Sequence, residues 1–176
     1  MQGKYVEGLA SPYYDGSSGS EYRLWDNTYE RFHKGSHVIA EDVIGTIDHD
    51  RSRILGRVQA DTLELWTGKD GLHYRAAPAN TSYYQDLKAN IEAGNYAGSS
   101  FTFEPTQVEW TFEGDKEIRN IMKANIYEVA AVVDPAYRNT SVGVRSDERR
   151  AIEQEREDYR AKLETEKRLQ KLDNMK

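Results

Sequence analysis

The sequence predicts an α+β domain rich in strands, with a charged helix appended at its carboxy-terminal end. Three observations predict it. Short apolar or alternating segments broken by Gly, Pro, Asn and Asp fill the chain as far as Val144. A single stretch from Ser82 to Glu92 carries its apolar residues at helical spacing instead. Beyond Arg145 the chain contains no Gly or Pro and is dense in Glu, Arg and Lys. Twelve tyrosines mixed with Val, Ile and Thr agree with a β-rich body.

Taken in order, Val38-Ile39 and the run from Asp42 to Ile47 read as strand material leading to His49. Residues 54–58 and 62–66 read as two further strands. In the second, Leu63 and Leu65 share one face, with Thr62, Glu64 and Trp66 on the other. Lys69-Asp70-Gly71 is a turn signal, residues 72–77 return as the partner strand, and Pro78 closes it. Tyr83, Leu87 and Ile91 fall at four-residue steps, which makes Ser82 to Glu92 a helix that Gly94-Asn95 ends. Residues 99–103 and 107–112 read as two strands, Gly114-Asp115 as a turn, and residues 118–133 as strand material ending at Asp134-Pro135. Ser146 followed by Asp147 and Glu148 makes a helix start. The apolar residues of that tail (Ile152, Tyr159, Leu163, Leu169, Leu172) are too sparse for a core of their own. The expected organisation is a domain over 1–144 and a charged helix or tail over 145–176.

A chain of 176 residues has room for one such domain and an appendage. Its 38% apolar and 31% charged residues lie on the polar side of globular averages, yet 11% aromatics argue against disorder throughout. A net charge of -6 gives no electrostatic case for nucleic acid, which needs a basic face. Without cysteine there is no disulfide, thiolate nucleophile or Cys-ligated zinc. No apolar run reaches the roughly 20 residues of a membrane helix, and Met1-Gln2-Gly3-Lys4-Tyr5 lacks the apolar region of a signal peptide. The expectation is a soluble cytoplasmic protein.

The chemistry-bearing residues are few. His33 and His37 are four apart, but Lys34 stands where the zinc-peptidase helix motif has Glu, and Gly35-Ser36 disfavours a helix. His49, between Asp48 and Asp50, sits at a strand end, where a side chain meets a cleft or solvent. Ser100 lies in Gly98-Ser99-Ser100-Phe101-Thr102-Phe103. Strand alternation puts Phe101 and Phe103 on one face as anchors and Ser100 on the other, and Gly98 clears the approach. The string is not the Gly-x-Ser-x-Gly elbow of α/β-hydrolases. Glu128 interrupts an otherwise apolar run, so its carboxylate either points outward or is paired. Each of these, alone, has an ordinary structural explanation.

In this order, the segments resemble the prohead (capsid maturation) serine proteases of tailed bacteriophages, over most of the chain from Tyr5 to about Arg145. Asp48-His49-Asp50 with Ile54-Leu55-Gly56-Arg57 resembles the family's histidine motif. Asp70-Gly71-Leu72-His73-Tyr74 resembles its hairpin return, and the Gly98–Phe103 string its nucleophile motif, with the serine just before the first Phe. Tyr127-Glu128-Val129-Ala130, Val133-Asp134-Pro135-Ala136-Tyr137 and Thr140-Ser141-Val142 resemble its ending. Glu30-Arg31-Phe32-His33-Lys34-Gly35 departs from the family's opening.

The resemblance implies a barrel-like protease domain with flanking helices, similar in fold to the herpesvirus assembly proteases. It implies Ser100 as nucleophile and His49 as general base, with Glu128 orienting His49 and Asp134 as the alternative third member. Arg119 is a candidate oxyanion donor, as are backbone N–H groups near Ser100. No metal or cofactor is called for. The implied partners are the phage major capsid protein and a scaffold segment, met inside the procapsid in the host cytoplasm; the tail would dock on scaffold or be removed by self-cleavage. Relatives of this fold can depend on dimerisation, which admits a homo-oligomer. The non-enzymatic alternatives are a capsid-assembly or scaffold protein and a ligand-binding β domain.

Overall fold

A computed structural model of the chain describes residues 4–145 together with Thr165 and Gln170. Two sheets enclose the core. Strands β1 (Tyr5–Pro12), β6 (Leu63–Thr67), β7 (Gly71–Ala76) and β10 (Ser141–Arg145) form the smaller, in the order β10-β1-β7-β6. The larger sheet contains β2 (Glu21–Trp25), β3 (Thr28–Phe32), β4 (His37–Ile47), β5 (Asp50–Arg57), β8 (Gly98–Glu113) and β9 (Lys116–Val132). It curls into a half-barrel. Its spine is β9, 17 residues long. β3 and then β4 lie parallel along one side of β9, and β8 runs antiparallel along the whole of the other.

Local sequence explains the main joints. β8 and β9 are joined by Gly114-Asp115, with Glu113 opposite Lys116, and Gly114 takes the positive φ of 62° that such a tight turn requires. The helix α1 (Ser82–Glu92) buries Tyr84 and Leu87, and Gly94, at φ 81°, turns the chain out of it. The core is aromatic at its centre. Phe32 meets Phe101 and Phe103 edge-on at 5.1 and 4.8 Å, and Tyr137 at 6.0 Å.

Several expectations need correction. The two strands expected over 99–103 and 107–112 are one, running through Pro105. Among the described strands β8 pairs with β9 alone, so Pro105 sits on a sheet edge, where its missing N–H costs no ladder bond, and the register shifts beside it. The flanking helices reduce, among the described residues, to α1 and a 3-10 turn at Val58–Ala60. Strands β1, β2 and β3 carry no signal that the sequence reading used. The expected helix beyond Ser146 lies outside the described residues except at Thr165 and Gln170, both of which are helical.

Candidate active site

Ser100, Glu128 and His49 lie where β8, β9, β4 and the turn after β4 run side by side in the larger sheet. Phe101 on β8 is buried and Phe103 packs against the core. Alternation therefore turns Ser100 and Thr102 outward. Across the sheet, Ser100 stands opposite Ala130 of β9, which in turn faces Thr46 of β4. The next row is Thr102, Glu128 and Ile44.

Ser99 and Ser100 differ sharply. Ser99 is fully buried, its Oγ 2.9 Å from the Tyr74 hydroxyl, and its N–H donates to Thr140 Oγ1 at 3.1 Å. Ser100 is only partly buried, on the face shared with Glu128. Only Ser100 stands where a substrate could reach it.

A bulge aims Glu128. Thr102 pairs with Glu128 but Phe103 with Ile126, so Tyr127 is the extra residue in β9. Without it, Ile126 and Glu128 would share a face. With it, Ile126 stays in the core while Glu128 turns to the Ser100 side. The Glu128 side chain is 6% exposed, and its carboxylate is met from three directions. Thr46 Oγ1 donates to Oε1 at 2.6 Å, Thr102 Oγ1 donates to Oε2 at 3.0 Å, and His49 Nδ1 lies 3.4 Å from Oε2. A carboxylate removed from water needs such partners.

His49 is held by the turn between β4 and β5, in which Asp48 and His49 both adopt left-handed backbone, φ 51° and 59°. The neighbouring aspartates brace that turn. Asp48 Oδ1 accepts the Val133 N–H at 3.4 Å, and Asp48 Oδ2 accepts the Tyr96 hydroxyl. Asp50 takes bonds from the Ser52 hydroxyl and N–H and from Arg53, which hold its carboxyl down at about 2. The other histidines are engaged elsewhere: His33 with Asn120, His37 with Ser11, and His73 with Asp70 while stacked on Trp66.

The segment 133–140 straps this arrangement together. Its first N–H reaches Asp48, Pro135 packs on Gly98, and Thr140 receives the Ser99 N–H. Asp134, the alternative partner for His49, is exposed beyond the end of β9; the carboxylate beside His49 Nδ1 is that of Glu128. Arg119 is not brought to Ser100. It stands opposite Trp110, ten residues along β8 from Ser100 and about 30 Å along an extended strand. There its Nη1 donates to Glu30 Oε2 at 2.7 Å. Glu30 is buried, which raises its pKa, while Tyr137 and Arg119 oppose that shift. The sequence reading missed Thr46 and Thr102; hydroxyls within three rows of strand carry no signal until the register is known.

The family model of the caudovirus prohead serine proteases matches residues 13–155 of the chain. The chain belongs to this family. No curated protein and no solved structure gives a significant match. A prohead protease is a serine peptidase of phage capsid maturation, so the chain's setting is the procapsid. The match starts at Tyr13, leaving β1 outside it although β1 lies inside the smaller sheet, and it continues past Arg145. Among the described residues no helix is long and apolar enough to cross a membrane.

Proposed function

We propose that this prohead protease is a serine endopeptidase that cleaves scaffold segments, major capsid protein segments or both inside the procapsid, and also itself. The observation that carries the reading is the approach of His49 Nδ1 to Glu128 Oε2, 3.4 Å, with Glu128 in the row of the sheet next to that of Ser100. In this reading Glu128 accepts the Nδ1 proton of His49 and fixes its tautomer. His49 Nε2 takes the proton of Ser100 as the hydroxyl attacks the scissile carbonyl. The tetrahedral intermediate collapses as His49 passes that proton to the leaving amine, and water, activated by the same imidazole, hydrolyses the acyl-enzyme. Backbone N–H groups beside Ser100 serve the oxyanion. The general architecture is that of the herpesvirus assembly proteases, and residues 146–176 dock the enzyme on scaffold or are removed by self-cleavage.

Co-expression with the phage's own capsid and scaffold proteins tests this, the products being read by mass spectrometry. Ser100→Ala abolishes cleavage while the protein stays folded. Equal cleavage by wild type and variant would remove Ser100 from the chemistry.

A further inference from the structure

Two threonines that no sequence motif singles out bond to the Glu128 carboxylate. Thr46 is fully buried on β4, and its hydroxyl reaches Glu128 Oε1 at 2.6 Å. Thr102 stands on β8, two residues from Ser100 and on the same face, and its hydroxyl reaches Oε2 at 3.0 Å. Both hydroxyls donate and the carboxylate oxygens accept. One oxygen is thereby anchored to β4 from within the sheet, and the other is left to be shared between Thr102 and His49 Nδ1.

We infer that Thr46 and Thr102 are positioning residues that lock the Glu128 carboxylate, with Oε2 directed at His49 before any substrate arrives; the inference rests on the Ser100–His49–Glu128 reading. The lock also ties register together. Thr102 fixes the acid to the strand that carries the nucleophile, and Thr46 fixes it to the strand that leads into the His49 turn. A carboxylate held in this way meets the imidazolium charge, as it forms, without reorganising. Thr46 contributes most, because its bond is short and sealed from water, whereas Thr102 is exposed and water can replace its hydroxyl.

The test is covalent labelling by a fluorophosphonate, which needs no knowledge of the cleavage site. The serine oxygen attacks phosphorus, fluoride leaves, and the hydroxyl proton passes to the general base. Intact mass spectrometry gives the maximal labelling rate and the half-saturating probe concentration for each variant. Thr46→Val keeps the shape and removes the donor; its maximal rate falls about tenfold or more, as expected for loss of a bond to a charged acceptor, with half-saturation changed less than about twofold. Thr46→Ser restores the rate. Thr46→Val adds no further loss to Glu128→Gln, because the carboxylate it would orient is gone.

A Thr46→Val protein that labels at the wild-type rate, or that loses as much in the Glu128→Gln background, overturns the inference and leaves the underlying reading intact. Labelling that persists in Ser100→Ala, or none in wild type, overturns that reading and the inference with it. A serine variant as slow as the valine one makes Thr46 a packing residue and also overturns it.

Discussion

At the residue scale, the most exposed liability is a histidine the chemistry does not use. His37 is 7% exposed, stacked face to face on Phe32 at 5.1 Å and on Tyr13 at 5.0 Å. Its Nε2 meets Ser11 Oγ at 2.8 Å, and its buried Nδ1 has no partner among the described residues. Burial favours the neutral ring and holds its pKa down at about 4, against 6.5 for the free group. The unfolded chain thus takes the proton more readily than the folded one. The stability from neutral His37 is complete above pH 6.5 and is lost as pH falls toward 4, to a total of about 3 kcal/mol. Urea unfolding between pH 7.5 and 4.5 checks this: wild type weakens steadily, and His37→Phe, which keeps the stacking and cannot titrate, weakens less. A parallel decline in both proteins would put the acid sensitivity elsewhere. The same residue shows what sequence alone can hide. His33 and His37 share a motif-like spacing, but His33 follows the end of β3 while His37 opens β4, and only packing distinguishes a core histidine from His49.

At the element scale, the critical joint is the edge strand β8 against the strap 133–140. A Cβ built on Gly98 would lie 2.4 Å from Pro135 Cγ, and a proline ring cannot swing aside. Gly98→Ala must therefore push β8 off the strap, with a cost of about 2 kcal/mol and slower labelling of Ser100 two residues on. Gly114→Ala is the control. At φ 62° with nothing within 4 Å of the added methyl, it costs about 1 kcal/mol and leaves Ser100 undisturbed. Urea midpoints and labelling rates of the two variants separate the effects; equal labelling losses would mean that the strap does not hold the nucleophile strand. Local signals explain which elements were legible. The helix α1 could be read because Tyr83, Leu87 and Ile91 repeat at four and Gly94 stops it, and β6 and β7 because a Gly-containing turn joins them. β8 was split at Pro105 because an edge position, which tolerates proline, is a tertiary fact. Glu128 was legible as an anomaly in an apolar run. That it faces Ser100 depends on the bulge at Tyr127, which has no local mark.

At the scale of the molecule, the question is where the folding unit ends. Among the residues whose burial is described, the buried cluster draws on the chain from Val6 to Tyr137. β10 completes the smaller sheet. It pairs with β1 from Ser141 opposite Leu9 to Arg145 opposite Tyr5, and β1 has β7 on its other side. Removing β10 turns β1 from an internal strand into an edge, with a row of unpaired backbone groups facing solvent. A chain ending at Arg145 should therefore unfold at the full-length urea midpoint, to within about 0.5 kcal/mol, and label at Ser100 as fast. A chain ending at Thr140 should lose several kcal/mol or aggregate, because the new edge offers itself to other copies. The proposed docking role of residues 146–176 adds a second readout. The chain ending at Arg145 should be enzymatically competent and yet fail to enter procapsids assembled around it. Normal incorporation would place the docking determinant within the body of the enzyme. A lowered midpoint for the same chain would instead mean that residues 146–176 stabilise the fold, and the boundary of the folding unit would move past Arg145, as the family match to residue 155 allows.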